Sequence, residues 1–382
     1  MESSQSEIAI SSCNNYNLSK VQKSLEEILN LLGGLNSLIK PDSNVLLKPN
    51  MLMAKSPEAH VTTHPTIIEA VINAVREADA IPIVGDSPGG IVKDNVEKYY
   101  RATGILEVCE RLDVKILNFE KEGIYIRKRK NHTYHIAKPV IDCDFLINLP
   151  KIKTHGLTIF TSSIKNMYGA IPGLTKTDYH RKSPKPTEFS SKVVDIFALT
   201  KPDLNIVDGI IGMEGAGPSN GNLRELGMIL ASTDALALDS YICQLLGKDT
   251  KKVPTNKIAM NQNLGNGNLN KINVLGYTPH IITDFKWPSN IANTLDMFPS
   301  TIAQALIKLW WTRPAINPEK CTNCQICLKS CPVDAIKEGL FIPEFEYAEC
   351  INCLCCMEMC PQGAVHQDKS TLFKITSKFS SD

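Results

Sequence analysis

The chain has 382 residues, of which 43% are hydrophobic and 21% charged, and its formal net charge is +1. That is long enough for two or three soluble domains, and near-neutrality excludes a dedicated nucleic-acid binder, which carries a strong basic excess. The opening MESSQSEIAISSCNNYN lacks a basic segment followed by an apolar one, and no apolar run approaches the roughly 18 residues of a membrane helix, so a cytoplasmic protein without a membrane span is expected.

Apolar runs of strand length alternate with helical patterns. NVLLKPN (44–50) reads as a strand, and HPTIIEAVINAVREADA (64–80) as a helix with Pro65 near its first turn. IPIVGDSPGG (81–90) is a strand running into a glycine turn; DVKILNF (113–119), CDFLINLP (143–150) and DLNIVDG (203–209) are further strands. Residues 123–138, containing IRKRKNHTYHI, read as a hairpin with Arg127–Lys130 at a solvated tip. Strands separated by helices imply right-handed crossovers, hence a mostly parallel, doubly wound α/β sheet covered on both faces. Polar residues gather where the strands end: Lys48 and Asn50, Asp86 and Ser87, Asn148 with Lys151, Lys153 and His155, and Asp208. Ligands of open α/β sheets bind beyond those carboxyl ends, so these segments are expected to converge on one pocket.

The stretch KIKTHGLTIFTSSIKNMYGAIPG (151–173) is the most unusual. Lys151, Lys153 and His155 alternate, so an extended backbone points them to one side. From Leu157 the pattern becomes helical, with Leu157, Phe160, Ile164 and Met167 on one face and Thr158, Ser162 and Lys165 on another. Two ammonium groups about 6 Å apart repel by roughly 3 kcal/mol at an effective dielectric near 20. A tight group of cations therefore needs acids or an anionic ligand; solvated charge on a loop is the alternative.

IIGMEGAGPSNG (210–221) has neither G-x4-G-K-[ST] nor G-x-G-x-x-G. It is either a surface turn or a place where backbone approaches a ligand, and Asp208 and Glu214 are its nearby acids, as proton carriers or counter-charges. KTDYHRKSPKP (176–186) reads as an exposed basic loop, with a flap over the crevice as the alternative. In the linker 286–315, Ile302, Leu306, Leu309 and Trp310 form a helical apolar stripe, read as packing between domains. No flavin or nicotinamide motif is visible.

Nine of the thirteen cysteines lie between Cys321 and Cys360; the others, Cys13, Cys109, Cys143 and Cys243, sit among apolar residues and read as buried free thiols. CTNCQICLKSCP and CINCLCCMEMCP both follow C-x2-C-x2-C-x3-C-P, and the whole pattern repeats at a 29-residue offset. Three close thiolates grip one cubane from a short loop, and the fourth ligates the other cluster. The expectation is two [4Fe–4S] clusters, one on Cys321, Cys324, Cys327 and Cys360, the second on Cys350, Cys353, Cys356 and Cys331. Zinc sites favour two separated C-x2-C pairs. Cys355, whose counterpart is Ile326, reads as a buried thiol and not a ligand. Residues 316–365 hold seven acids and three lysines, a balance of −4, so the remainder carries +5.

Residues 316–366 thus resemble a bacterial-type two-cluster ferredoxin, a small α+β domain that carries electrons. Upstream, KPN with TTHP and GDSPGG, then LPKIKTHGLTIFTSSIKNMYGAIPG, then VDGIIGMEGAGPSNG resemble the family called domain of unknown function 362, over roughly residues 5–285. The resemblance implies an α/β domain (1–285), a linker (286–315), the ferredoxin domain and a tail (367–382), with an oxidoreductase role and no settled substrate. It favours an anion site at the lysines. The expected function is an iron–sulfur oxidoreductase passing single electrons to a small anionic substrate. His155, Lys153 and Lys165 are its candidate catalytic residues, and Lys48, Asn50, Asp86, Ser87, Lys151, Asn166 and Asp208 would bind substrate. The alternatives are a relay serving a donor or acceptor protein, and a non-redox lyase or isomerase with structural clusters.

Overall fold

The computed structural model describes residues 5–89, 96–173, 175–183, 185–288 and 312–371. The apolar stripe expected at 302–310 lies outside the described residues. The larger domain is built on a ten-stranded sheet. Its strands are β1 (Ser6–Ser12), β2 (Asn44–Pro49), β3 (Ile81–Asp86), β4 (Lys115–Asn118), β7 (Phe145–Leu149), β8 (Lys151–His155), β9 (Ile159–Thr161), β10 (Leu204–Glu214), β11 (Asn222–Ser232) and β12 (Ile272–Gly276). Strands β5 (Ile124–Arg129) and β6 (His132–Ala137) form the expected separate hairpin.

The sheet runs β12-β1-β11-β10-β7-β2-β3-β4. All pairs along it are parallel except those of β11 with β1 and β10. Alternation along β2 shows why both faces are covered: Val45 and Leu47 enter one core with the helices Leu18–Leu31 and Pro65–Glu77, while Leu46 enters another with the helix Pro186–Leu199. Side chains of period two on a doubly covered sheet leave no solvent face. The helix Pro65–Glu77 starts where the sequence says, with Pro65 first and His64 Nδ1 accepting from Thr66 N at 3.2 Å. Among the scattered thiols Cys13, Cys109 and Cys243 are buried, while Cys143 is only partly so.

Three local expectations are corrected. Residues 157–167 are not one amphipathic helix: the chain reverses at Gly156–Leu157, β9 pairs antiparallel with β8, and only Ser163–Asn166 is α-helical. Leu157, Phe160, Thr158 and Ser162 are all buried, so no polar helix face forms. The segment 175–182 is a helix and not an exposed loop, because Lys176, Tyr179 and His180, at i, i+3 and i+4, turn inward together. The hairpin tip is not wholly solvated either, since Arg129 and Lys130 lie 3.3 and 3.0 Å from the buried Asp195.

Among the described residues the C-terminal domain joins two antiparallel strand pairs, Thr312–Ile316 with Val365–Lys369 and Ile336–Lys337 with Glu344–Phe345, and two one-turn helices, Ile326–Lys329 and Cys355–Glu358. The sequence repeat is also a backbone repeat. Asn323 and Gln325 have φ of 50° and 59°, and their counterparts Asn352 and Leu354 have 52° and 62°.

Candidate functional site

The β2, β3 and β7 ends and strand β8 meet at one edge of the sheet, where the polar residues are buried with ordered partners. Lys48 pairs with Asp86 at 2.8 Å, both buried. Asp86 Oδ2 also accepts from Met51 N at 2.9 Å. A Cβ on Gly169 would collide with both Lys48 Nζ and Asp86 Oδ1, so only glycine lets the 3₁₀ turn Met167–Ala170 close over this pair.

Strand β8 sends its three cationic positions to three destinations. Lys151 Nζ donates to Asp208 Oδ2 at 2.9 Å and to Tyr16 Oη at 3.0 Å, while Tyr16 Oη donates to Asp208 Oδ1 at 2.8 Å. Burial opposes ionisation of Asp208, but the Lys151 ammonium overcomes it and holds the carboxyl below its usual range. The rings of His60 and His64 stack on Tyr16 and cover this pair. Lys153 Nζ donates instead to Asn50 Oδ1 and Val61 O, both at 2.8 Å. His155 Nδ1 accepts from the backbone of Leu157 and Thr158, and its Nε2 lies 3.1 Å from Glu358 Oε1 of the C-terminal domain, off the line of an ideal hydrogen bond.

Behind Lys153 runs a chain of four side-chain amides. Asn205 Nδ2 donates to Ser232 O, Asn148 Nδ2 to Asn205 Oδ1, Asn166 Nδ2 to Asn148 Oδ1, and Asn50 Nδ2 to Asn166 Oδ1. Each amide is oriented by the next, which leaves Asn50 Oδ1 as the acceptor facing Lys153.

A cavity of about 100 Å³ opens beside these groups and between the two domains. That volume holds several waters or a small ligand. Asn50, Asp86, Ser87, Lys153, Lys165 and Asn166 line it from the sequence-predicted set. Lys176 and His180 join them from the helix Thr175–Lys182, and Cys355, Glu358 and Met359 from the C-terminal domain. Burial lowers Lys165, opposed by Glu358, and its Nζ lies 5.8 Å over the Tyr168 ring. Burial also lowers Lys176, to about 7; its ammonium donates to Ser87 O and Pro88 O. Thr161 Oγ1 and His180 Nδ1 are buried at this cavity with no hydrogen-bond partner among the described residues.

Four expected site residues are not on the cavity wall. Lys48, Lys151 and Asp208 are tied into carboxylate–lysine pairs beneath or beside it. His155, expected to supply a proton, has its Nδ1 lone pair occupied by two backbone N–H groups and faces Glu358. The inward face of the helix Thr175–Lys182 was readable from its spacing, whereas Asn205 and Glu358 carry no local signal.

Eight of the nine C-terminal cysteines fall into two sets of four. One cavity is lined by Cys321, Cys324, Cys327 and Cys360, the other by Cys331, Cys350, Cys353 and Cys356. Ala335 N donates to Cys331 Sγ and Ala364 N to Cys360 Sγ, both at 3.2 Å. Among the described residues, no three His, Cys, Asp or Glu side chains are close enough to share one metal ion; the thiols ring a volume, as an iron–sulfur cubane requires. Cys355 lies on the cavity between the domains and on neither thiol-lined one.

The family described as domain of unknown function (DUF362) matches residues 45–244, over half of the chain. The chain belongs to the DUF362 family. A 4Fe-4S dicluster domain matches residues 313–370, so the DUF362 domain is followed by a ferredoxin-type domain that binds iron–sulfur clusters. A thylakoid-associated protein of Synechocystis sp. is 35% identical over 257 residues, 65% of this chain and 77% of that one. Among solved structures, the lactate racemase apoprotein of Thermoanaerobacterium thermosaccharolyticum is similar with a TM-score of 0.41 at 10% identity, over 65% of this chain and 58% of that one. A Thermotoga maritima protein has a TM-score of 0.37 at 11% identity, over 53% and 52%. The chain thus spans little more than half the length of either structure. Among the described residues no helix is long and apolar enough to cross a membrane.

The loop 215–221 is not a plain surface turn. Ser219 Oγ donates to Glu358 O and Asn220 Nδ2 to Met357 O, both at 3.0 Å, so the DUF362 loop grips the helix that carries Cys355 and Cys356. Leu354 packs so closely on Gly156 that a Cβ there would lie 2.5 Å from Leu354 Cδ1.

Proposed function

We propose that this protein is an iron–sulfur oxidoreductase whose substrate is a small anion bound in the cavity between the DUF362 and ferredoxin-type domains. The observation that carries this reading is the shared wall: Lys153, Lys165 and Lys176 on one side, and Cys355, Glu358 and Met359, interleaved with cysteines of the second motif, on the other. Two [4Fe–4S] clusters, held by the two sets of four cysteines, would supply single-electron transfer when bound. Lys165 and Lys176 hold the anion, and Asn50, Asn166 and Ser87 offer it polar contacts. The Lys48–Asp86 and Lys151–Asp208 pairs stiffen the wall, and His155 positions Glu358. The small cavity limits the substrate to a few heavy atoms, and a wall this dry strengthens each charge interaction. The thylakoid association of the Synechocystis relative makes a membrane-bound donor or acceptor the partner to test first.

The test reduces anaerobic full-length protein with dithionite and follows its visible absorbance after adding small reducible anions, namely 2-oxo and 2,3-unsaturated carboxylates. Recovery of the oxidised spectrum with one of them, slowed in Lys165→Met, is expected. Recovery only with protein acceptors, at the same rate in Lys165→Met, would move the function to a relay.

A further inference from the structure

Three lysines, one on β2 and two on β8, are wholly buried at this site, and they are not equivalent. Lys48 and Lys151 each face a carboxylate at 2.8 and 2.9 Å. Lys153 faces none among the described residues; its partners are an amide oxygen and a peptide carbonyl. The amide chain from Asn205 to Asn50 fixes that amide with its oxygen toward Nζ. Two acceptors take two of its N–H groups, and with no carboxylate to hold a third proton the remaining position of Nζ is open to a lone pair. Lysine 153 itself lines the cavity, together with Lys165 and Lys176.

We propose that Lys153 is a nucleophilic amine that condenses with the carbonyl carbon of a small 2-oxo acid whose carboxylate is held by Lys165 and Lys176. The inference rests on the reading of the cavity as a ligand site and names its substrate class. Nζ attacks the carbonyl carbon, forming the C–N bond while the carbonyl π pair moves to oxygen. The oxygen then leaves as water with the two amine hydrogens, and an imine remains; no oxidant or reductant is consumed. Asn50 Oδ1 and Val61 O, which hold the amine before attack, lie beside the nitrogen as it gains positive character. Burial keeps Lys153 well below the ordinary lysine range, helped by the cations of Lys165 and Lys151. Lys151, buried on the same strand but paired with Asp208, serves as the internal control.

The experiment treats the anaerobically prepared, cluster-loaded full chain with pyruvate and cyanoborohydride at neutral pH and maps reduced adducts by peptide mass spectrometry. One adduct per chain, on the peptide of Lys153 and lost in Lys153→Met, is expected. Asn50→Asp keeps the side-chain shape but sets a carboxylate against Nζ, and should lower the trapped fraction at least about tenfold by protonating the amine. Circular dichroism and melting temperature establish that both variants are folded. Adducts confined to exposed lysines, or an undiminished yield in Asn50→Asp, overturn the proposal. Pyruvate that binds by calorimetry, more weakly in Lys165→Met, yet leaves no adduct on Lys153 overturns the amine chemistry alone. Pyruvate binding unaltered by Lys165→Met removes the ligand site as well.

Discussion

Glu358, midway between Cys356 and Cys360, lies 3.1 Å from His155 Nε2 at the end of strand β8. It is the point at which the cationic strand of the DUF362 domain meets the second cysteine motif. With the bonds from Ser219 and Asn220 to the same helix, it couples the two domains through polar contacts that the loss of one partner would expose. Glu358→Ala should therefore cost about 1–3 kcal/mol, the usual penalty for stranding a buried polar group. It should also speed amide hydrogen exchange at Leu157 and Thr158, whose N–H groups His155 accepts, read by mass spectrometry against the parent protein. Unchanged melting and exchange would mean that the domains dock without this contact.

Iron and acid-labile sulfide should each come to about eight per chain in anaerobic preparations, the content of two cubanes. Since Cys331 shares a cavity with Cys350, Cys353 and Cys356, Cys331→Ser should perturb the cluster of that set in its electron paramagnetic resonance signal. Cys355→Ala should leave both clusters assembled, because its thiol lines the cavity between the domains instead. Stoichiometric zinc with little iron contradicts the assignment outright.

The Lys151–Asp208 pair gives a sharper energetic test because both side chains are fully buried. Asp208→Asn leaves the ammonium without its counter-charge, for an expected loss of about 3–5 kcal/mol in denaturant unfolding. Adding Lys151→Met should recover more than half of that loss, since the cost is an uncompensated charge and not a missing contact. A double variant as unstable as the single one would place the cost in packing around Tyr16 and His64.

How much of this was legible in the sequence follows from the range of each interaction. The strands are local in period and composition, and the strand ends gathered as expected because parallel crossovers bring every carboxyl end to one edge. Alternation on β8 was also readable, and all three side chains are buried. Their partners were not: Lys151 reaches 57 residues away and Lys153 reaches 103, and no spacing rule reports such pairings. The helical reading of 157–167 failed because the apolar spacing of a short antiparallel return mimics a helix face, and β9 is stabilised by non-local pairing with β8. Glu358 looked like one acid among seven in the C-terminal domain; burial against His155 is what sets it apart.

The pH dependence of anion binding tests Lys176 directly. Burial lowers its ammonium to about 7, and the nearby Asp86 and Lys48 pull in opposite directions. As pH falls through about 7 the side chain gains a proton and a positive charge, so an anion in the cavity should bind more tightly below that pH than above it. Sulfate is the suitable probe, because its own charge does not change between pH 6 and 9. Calorimetry in buffers of different ionisation enthalpy should show proton uptake on binding at pH 8 and little at pH 6. For folding the sign runs the other way. The unfolded lysine holds its proton up to about 10.5 and the folded one only to about 7, so the unfolded state binds more protons throughout that window and stability rises with pH across it. The gain is complete above 10.5 and is lost as pH falls to 7. Lys176→Met should flatten both curves, removing the extra affinity for sulfate at low pH and the rise in melting temperature between pH 7 and 10. A sulfate affinity that fell with decreasing pH, or one equally pH-dependent in Lys176→Met, would take Lys176 out of the anion site.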